Sequence, residues 1–116
     1  MNARTRQIRE LDQLVGTYIK HEASGICAKC GNPRMLQSAH VLSKGPQSRL
    51  RFEPDNLMPL CGGCHLYWHQ RPKEALEWFD EKYPGRYERL QIAARCAPKL
   101  DLKLLLQIWR KEVAKL

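Results

Sequence analysis

The sequence predicts a single, mostly helical α+β domain with a short β-hairpin in its middle third. Apolar residues recur at helical spacing near both ends of the chain, over residues 4–21 and again from residue 72 onward. Between them, residues 35–42 and 53–60 form two short strand-like stretches joined by a loop that contains Gly and Pro. The chain has 116 residues, enough for one domain with a modest core, so residues 1–116 are predicted to form one unit.

The N-terminal stretch, residues 4–21, is predicted to be an amphipathic helix. Its apolar residues fall on one side at helical spacing: Ile8, Leu11, Leu14, Val15, Tyr18 and Ile19. Gly16 lowers the stability of such a helix but need not end it. The basic residues of its first half, Arg4, Arg6 and Arg9, are predicted to form a solvated face, and a contact with phosphates is the alternative.

The C-terminal part, residues 72–116, is predicted to contain three helices. Pro72 can occupy the first turn of one helix, residues 86–96 continue the helical pattern, and Asp101 can cap a last helix over residues 102–115. That last helix is apolar around more than half of its circumference. A ridge formed by Leu104 and Ile108 lies away from its main apolar face, so we expect this ridge to be covered or to form a homodimer contact.

Two cysteine pairs flank the predicted hairpin, and they predict a structural zinc site in the core, residues 25–70. Their pattern is C-x-x-C, 30 residues, C-x-x-C, formed by Cys27, Cys30, Cys61 and Cys64. Structural zinc takes four tetrahedral ligands, and two such pairs supply four thiolates. A redox role for one pair is the alternative, but the βαβ pattern that surrounds redox pairs is missing. The fifth cysteine, Cys96, is predicted to be a small buried residue of a helix.

The charge and the hydropathy of the chain favour a nucleic-acid partner and a cytoplasmic location, although many ordinary small proteins are also basic. Twenty Lys and Arg residues stand against 12 Asp and Glu residues, which gives a formal net charge of +8 and favours a polyanionic partner. No apolar run approaches the roughly 20 residues that a membrane span needs. The N-terminus has no apolar signal-peptide core either, so we expect a reducing compartment, where spaced cysteines bind zinc more often than they form disulfides.

Four polar side chains in residues 36–69 point to hydrolysis of nucleic acid: His40, Asn56, His65 and His69. Residues four positions apart share one face of a helix, so His65 and His69 can bind one divalent ion. Cleavage of a phosphodiester needs a base, a cation and a group that orients the base. With an ordinary imidazole pKa of about 6.5, His40 suits the base, and Asn56 could orient its loop or join the metal shell.

The loop after His40 is cationic, which suits contact with a phosphate backbone. It contains Lys44, Arg49 and Arg51, and no acidic residue lies between His40 and Glu53. Such a loop beside a catalytic histidine is predicted to bind DNA through its phosphates. A solubilising surface loop is the alternative.

The stretch AHVLSKGPQSRLRFEPDNLMPLCGGCH, residues 39–65, resembles the HNH (ββα-metal) nuclease family, whose motif is two short strands and a helix. His40, Asn56 and His65 match its H, N and H, and it is most similar to small phage-encoded HNH proteins of the lambda recombination (NinG-like) type. The added His69 is similar to the metal-binding helix of colicin DNases. The resemblance implies a ββα-metal core and metal-dependent nicking of DNA, with catalysis by His40, Asn56 and His65.

One position departs from the family pattern. Many HNH nucleases have Asp or His immediately before the base, as a further metal ligand, where this chain has Ala39. A catalytic ion, whether Mg²⁺, Mn²⁺, Ni²⁺ or Zn²⁺, would then keep His65 and His69, with water, phosphate or Asn56 completing its shell. Two alternatives remain at this point: a degenerate HNH module that binds DNA without cleaving it, and a zinc domain that binds protein through the ridge of the last helix.

Overall fold

A computed structural model describes residues 1–42 and 48–116 of the chain. In these residues five α-helices and a two-stranded sheet follow one another as α1 (Ala3–Glu22), β1 (Gln37–His40), β2 (Leu57–Leu60), α2 (Gly62–Gln70), α3 (Pro72–Lys82), α4 (Arg86–Cys96) and α5 (Leu102–Ala114). A 3₁₀ turn, Pro54–Asn56, leads directly into β2. The predicted α+β class with mostly helical content is confirmed, and each predicted helix forms within about two residues of its expected bounds.

The two strands form an antiparallel hairpin in which Ala39 pairs with Met58 and His40 pairs with Leu57. The first strand begins at Gln37, two residues later than predicted. Met35 adopts a φ of +52°, a left-handed conformation that an extended strand does not accept. The hairpin therefore keeps only four residue pairs, and it ends at His40.

Two hydrophobic clusters pack against the hairpin and hold it between the helices. One cluster contains Ala39, Met58 and Leu60 together with Phe79 of α3. The other joins α1 and α5 with Leu57 and with Phe52 of the loop before β2. Because β2 is buried along its whole length, both of its faces are covered by protein.

Helix α1 continues through Gly16, as predicted, and this glycine lets the helix lie close to the hairpin. A Cβ atom at Gly16 would lie 3.0 Å from the Ser38 hydroxyl oxygen, so a larger residue would require the Ser38 side chain to shift by a few tenths of an ångström. Elsewhere along α1, Tyr18 packs edge-to-face on Trp109 of α5, with ring centroids 5.1 Å apart. The N-terminal helix is thus an integral part of the core.

The C-terminal helices follow the predicted signals except at Cys96. Pro72 is the first residue of α3, and the Asp101 side chain caps α5 by accepting the Leu104 N–H at 3.1 Å. Leu104 and Ile108 are 50% and 44% exposed, so the ridge that they form is not covered by the described part of the chain. The prediction that Cys96 is buried was wrong: it ends α4 in a turn that faces solvent.

A helix that crosses a membrane must be both long and apolar, and the described residues contain none of that kind.

Candidate functional site

The four paired cysteines converge to a cluster that could bind a structural metal such as zinc. All four sulfur atoms lie within 4.8 Å of one another, and Cys30 Sγ and Cys61 Sγ are 3.6 Å apart. Sulfur atoms at about 2.3 Å from one tetrahedral zinc ion are separated by about 3.8 Å, so the observed spacing suits such an ion. Two of the cysteines come from the loop after α1, and the other two from the start of α2.

Local backbone geometry brings these sulfur atoms together and favours the ionised form of Cys27. In the first pair, the backbone N–H groups of Lys29 and Cys30 point at Cys27 Sγ, at 3.4 and 3.5 Å. In the second pair, Cys61 is the N-cap of α2, and its sulfur accepts the Cys64 N–H. Burial raises the pKa of the Cys27 thiol, but the backbone N–H groups around it outweigh that effect and lower the pKa to about 6.

Crowding of the sulfur atoms has the opposite effect at the fourth cysteine. Burial and the neighbouring sulfur atoms of Cys61, Cys30 and Cys27 raise the pKa of the Cys64 thiol. Four thiolates at these separations repel one another, and a divalent cation among them would remove that repulsion. The donor set therefore fits a zinc ion in both its chemistry and its spacing.

On α2 and the hairpin, a pocket of about 480 Å³ brings the three motif histidines together. Its lining consists of Ser38, His40, Val41, His65, Trp68, His69, Pro72, Leu76 and Tyr87. The imidazoles come from the last residue of β1 and from successive turns of α2. The sequence places them in one motif, and the fold places them around one cavity.

His65 and His69 present their ring nitrogens to each other at the spacing of two metal ligands. Their Nε2 atoms are 3.1 Å apart. Two nitrogens at about 2.0–2.1 Å from one ion are about 2.8–3.4 Å apart for ligand angles near 90–110°. The Nδ1 atom of His65 donates to the Gln37 carboxamide oxygen at 2.5 Å, which leaves its Nε2 lone pair directed toward His69.

The hydrogen bond that His40 makes determines which of its ring nitrogens can accept a proton. Its Nε2 atom lies 3.0 Å from the backbone carbonyl oxygen of Arg51. A carbonyl oxygen only accepts, so Nε2 carries the hydrogen and donates it. The basic lone pair of the neutral ring is therefore on Nδ1.

Asn56 does not line the pocket, but it holds the residues that follow β1. It is completely buried, and its carboxamide oxygen accepts the Leu42 N–H at 2.8 Å. Its amide nitrogen donates to the Leu50 carbonyl oxygen at 3.1 Å, with a longer contact to the Leu42 carbonyl oxygen. The two roles considered for Asn56 were orientation of the His40 loop and ligation of the metal. These contacts match the first role, and they occupy both the oxygen and the nitrogen of the carboxamide.

Replacing Asn56 with alanine is expected to lower the free energy of unfolding by about 2–4 kcal/mol, because partly buried backbone groups lose their partner and a cavity remains. Chemical denaturation measures this change. Asn32→Ala is the matched control, since Asn32 also accepts a backbone N–H, from Arg34 at 2.8 Å, but at an exposed position. We expect a loss below about 1 kcal/mol there. Equal losses in the two variants would contradict the role assigned to Asn56.

The predicted DNA-binding residues have different surroundings. Lys44 lies outside the described residues. The exposed Arg49 donates to the Ala97 carbonyl oxygen at 2.8 Å, at the end of α4. Arg51 forms an ion pair with Asp12 of α1, with a shortest N–O distance of 2.8 Å. Neither arginine is among the described residues that line the histidine pocket.

Sequence reasoning missed three residues that complete this site: Gln37, Asp12 and Tyr87. Gln37 contacts His65 across 28 positions, and Asp12 contacts Arg51 across 39. Tyr87 reaches the pocket from α4. For Gln37, the signal available was its place three residues before His40 on a predicted strand. For the other two, no local pattern indicates the contact.

No protein-family model, curated protein or solved structure gave a significant match to this chain. The function must therefore be argued from the residues of the site and their geometry.

Proposed function

We propose that this chain is a metal-dependent DNA endonuclease of the HNH type, which hydrolyses phosphodiester bonds and nicks one strand. The observation that carries the proposal is the histidine pocket. It contains one imidazole whose lone pair is on Nδ1 and two whose Nε2 atoms are 3.1 Å apart. A proton acceptor beside a pair of metal ligands is the arrangement that hydrolysis of a phosphodiester requires.

In this proposal His40 is the general base. Its Nδ1 atom takes the proton from the attacking water, and the Arg51 carbonyl oxygen, through Nε2, stabilises the imidazolium that results. His65 and His69 would hold a divalent ion by their Nε2 atoms, and Gln37 orients the His65 ring. When bound, such an ion supplies positive charge to the phosphate and to the leaving oxygen.

The same proposal includes a structural zinc ion bound by the four clustered cysteines. The loop after α1 and the start of α2 meet there, and the hairpin lies between these two segments in sequence. A zinc ion would tie these segments together and hold α2 against the hairpin. The two metal sites would thus have separate roles, one in folding and one in chemistry.

Binding to DNA is supported by the charge of the chain. Its formal net charge of +8 favours a polyanion, and a contact through phosphates is expected to weaken steeply with salt. Of the cationic loop, the exposed Arg49 can reach a phosphate, although its guanidinium also binds the Ala97 carbonyl oxygen. The contact proposed for Lys44 concerns a residue outside the described part of the chain.

The alternative function is a DNA-binding module without catalysis. The observation in its favour is Ala39, which is fully buried against the core and supplies no ligand at the position before the base. Incubation of supercoiled plasmid with the purified protein and Mg²⁺, Mn²⁺ or Ni²⁺ distinguishes the two. Conversion to the open-circular form supports the nuclease. Salt-sensitive binding without cleavage under all three ions would support the module instead.

Replacing His69 with alanine is expected to weaken binding of the second divalent ion at least tenfold, because one of its two protein ligands is lost. Calorimetric titration with Ni²⁺ or Zn²⁺ of protein that already holds its cysteine-bound zinc measures the change. Gln70→Ala is the control, since Gln70 is the next residue of α2, is exposed and does not line the pocket. Unchanged affinity in the His69 variant would remove this histidine from the metal site.

A further inference from the structure

Arg51, in the loop before β2, forms an ion pair with Asp12 of α1 and also hydrogen-bonds His40 through its backbone carbonyl. The Arg51 guanidinium donates to both carboxylate oxygens of Asp12, from Nε to Oδ1 at 3.1 Å and from Nη2 to Oδ2 at 2.8 Å. The backbone carbonyl of Arg51 accepts the His40 Nε2–H at 3.0 Å. The N-terminal helix, which lies outside the HNH resemblance, is thus connected to the proposed base through one residue.

The backbone on both sides of Arg51 is fixed by different parts of the fold. The carbonyl oxygen of the preceding residue, Leu50, accepts from the Asn56 side chain. The Leu50 side chain is buried in the hydrophobic cluster that contains Phe79 of α3. The following side chain, that of Phe52, is buried in the cluster formed by α1 and α5. Arg51 therefore lies between a residue of one hydrophobic cluster and a residue of the other. Its ion pair with Asp12 connects the loop before β2 to α1.

The geometry of this ion pair is that of a positioning contact. Two parallel hydrogen bonds between a guanidinium and a carboxylate fix their mutual orientation, which a single contact does not. The Arg51 side chain is only 17% exposed, so its freedom to turn toward a bound DNA strand is small. A guanidinium held by both hydrogen bonds to Asp12 does not turn toward a DNA phosphate, so the predicted phosphate contact and a role in positioning His40 are alternatives.

We propose that Asp12 and Arg51 are positioning residues for His40. Their ion pair keeps the Arg51 carbonyl where it accepts from Nε2, and so keeps the basic lone pair on Nδ1. This inference rests on the proposed function in one respect, since it concerns catalysis only if His40 is the base. The effect on the ring itself is independent of any activity.

The two roles of Arg51 predict opposite results for Asp12→Asn. If Arg51 contacts phosphate, loss of the Asp12 charge frees its guanidinium, and DNA binds more tightly while kcat is unchanged. If Arg51 positions His40, kcat falls by about tenfold and KM is unchanged, because displacement of the base affects the chemical step. Arg51→Gln is expected to lower kcat by a similar factor. The double variant should be no worse than either single one, since all three break the same contact.

The control is the second bidentate ion pair of α1. Arg110 of α5 donates to Glu10 at 2.6 and 2.9 Å, on the outside of the helix pair. Glu10→Gln removes an ion pair of the same type from the same helix, and we expect it to leave kcat unchanged. An equal fall in kcat for Glu10→Gln, or losses that multiply in the Asp12/Arg51 double variant, would overturn the inference.

Nitrogen-15 NMR of the histidine rings tests the inference even if the protein proves not to be a nuclease. Spectra at pH 8, with the His40 signals identified by their loss in His40→Ala, report which ring nitrogen carries the hydrogen. In the wild type the Nε2–H form should dominate. In Asp12→Asn and Arg51→Gln the Nδ1–H form should become populated. An unchanged tautomer in both variants would refute the positioning role, whereas an inactive wild type with the expected tautomers would refute only the nuclease.

Discussion

Replacing His40 with alanine is expected to lower the rate of plasmid nicking by about 10²–10⁴-fold, which is the contribution that a positioned general base typically makes. The side chain lies at the end of β1, lines the pocket and donates to the backbone carbonyl oxygen of Arg51. Removing it deletes the proposed proton acceptor and leaves both proposed metal sites intact. The measurement is the initial rate of conversion of supercoiled plasmid with the most active divalent ion.

Two controls separate loss of the base from loss of the fold. The His40 variant should keep its zinc content and its melting temperature to within a few degrees, because His40 is half-buried at the end of β1 and belongs to neither hydrophobic cluster. His21→Ala removes an exposed histidine from the last turn of α1, outside the pocket, and should cleave at the wild-type rate. Full activity in the His40 variant would exclude this residue from the mechanism.

Replacing Cys61 with serine is expected to abolish zinc binding and to unfold the segment between the first cysteine pair and α2. Structural zinc contributes about 10–16 kcal/mol of apparent binding energy in small zinc domains, which matches or exceeds the total stability of about 5–15 kcal/mol that most domains have. Serine can still cap α2, so loss of helix capping contributes little to the effect. Metal analysis and thermal unfolding followed by circular dichroism measure the change.

Cys96→Ser provides the matched control for the cysteine cluster. Cys96 is an exposed cysteine at the end of α4, and it does not belong to the cluster of four. Its replacement should change neither the zinc content nor the melting temperature. Stoichiometric zinc in the Cys61 variant, or a fold that is unaffected by removal of zinc with a chelator, would contradict the structural role of the metal.

The sequence by itself determined the features that depend on neighbours along the chain. Apolar residues at helical spacing, a proline in the first turn of α3 and an aspartate before α5 predicted the helices and their ends. Cysteine spacing predicted a cluster of four sulfur atoms, and the four-residue interval between His65 and His69 predicted that they share a helix face. These signals are local, because they follow from the geometry of one helix or one turn.

Only the tertiary structure decided which distant residues meet at the site. Gln37 reaches His65, Asp12 reaches Arg51, and the Arg51 carbonyl selects the ring nitrogen of His40 that can accept a proton. It also showed that Asn56 is completely buried and that Cys96 is exposed. Such contacts depend on how two hydrophobic clusters pack on opposite sides of one short hairpin, and the periodicity of a single element carries no information about that packing.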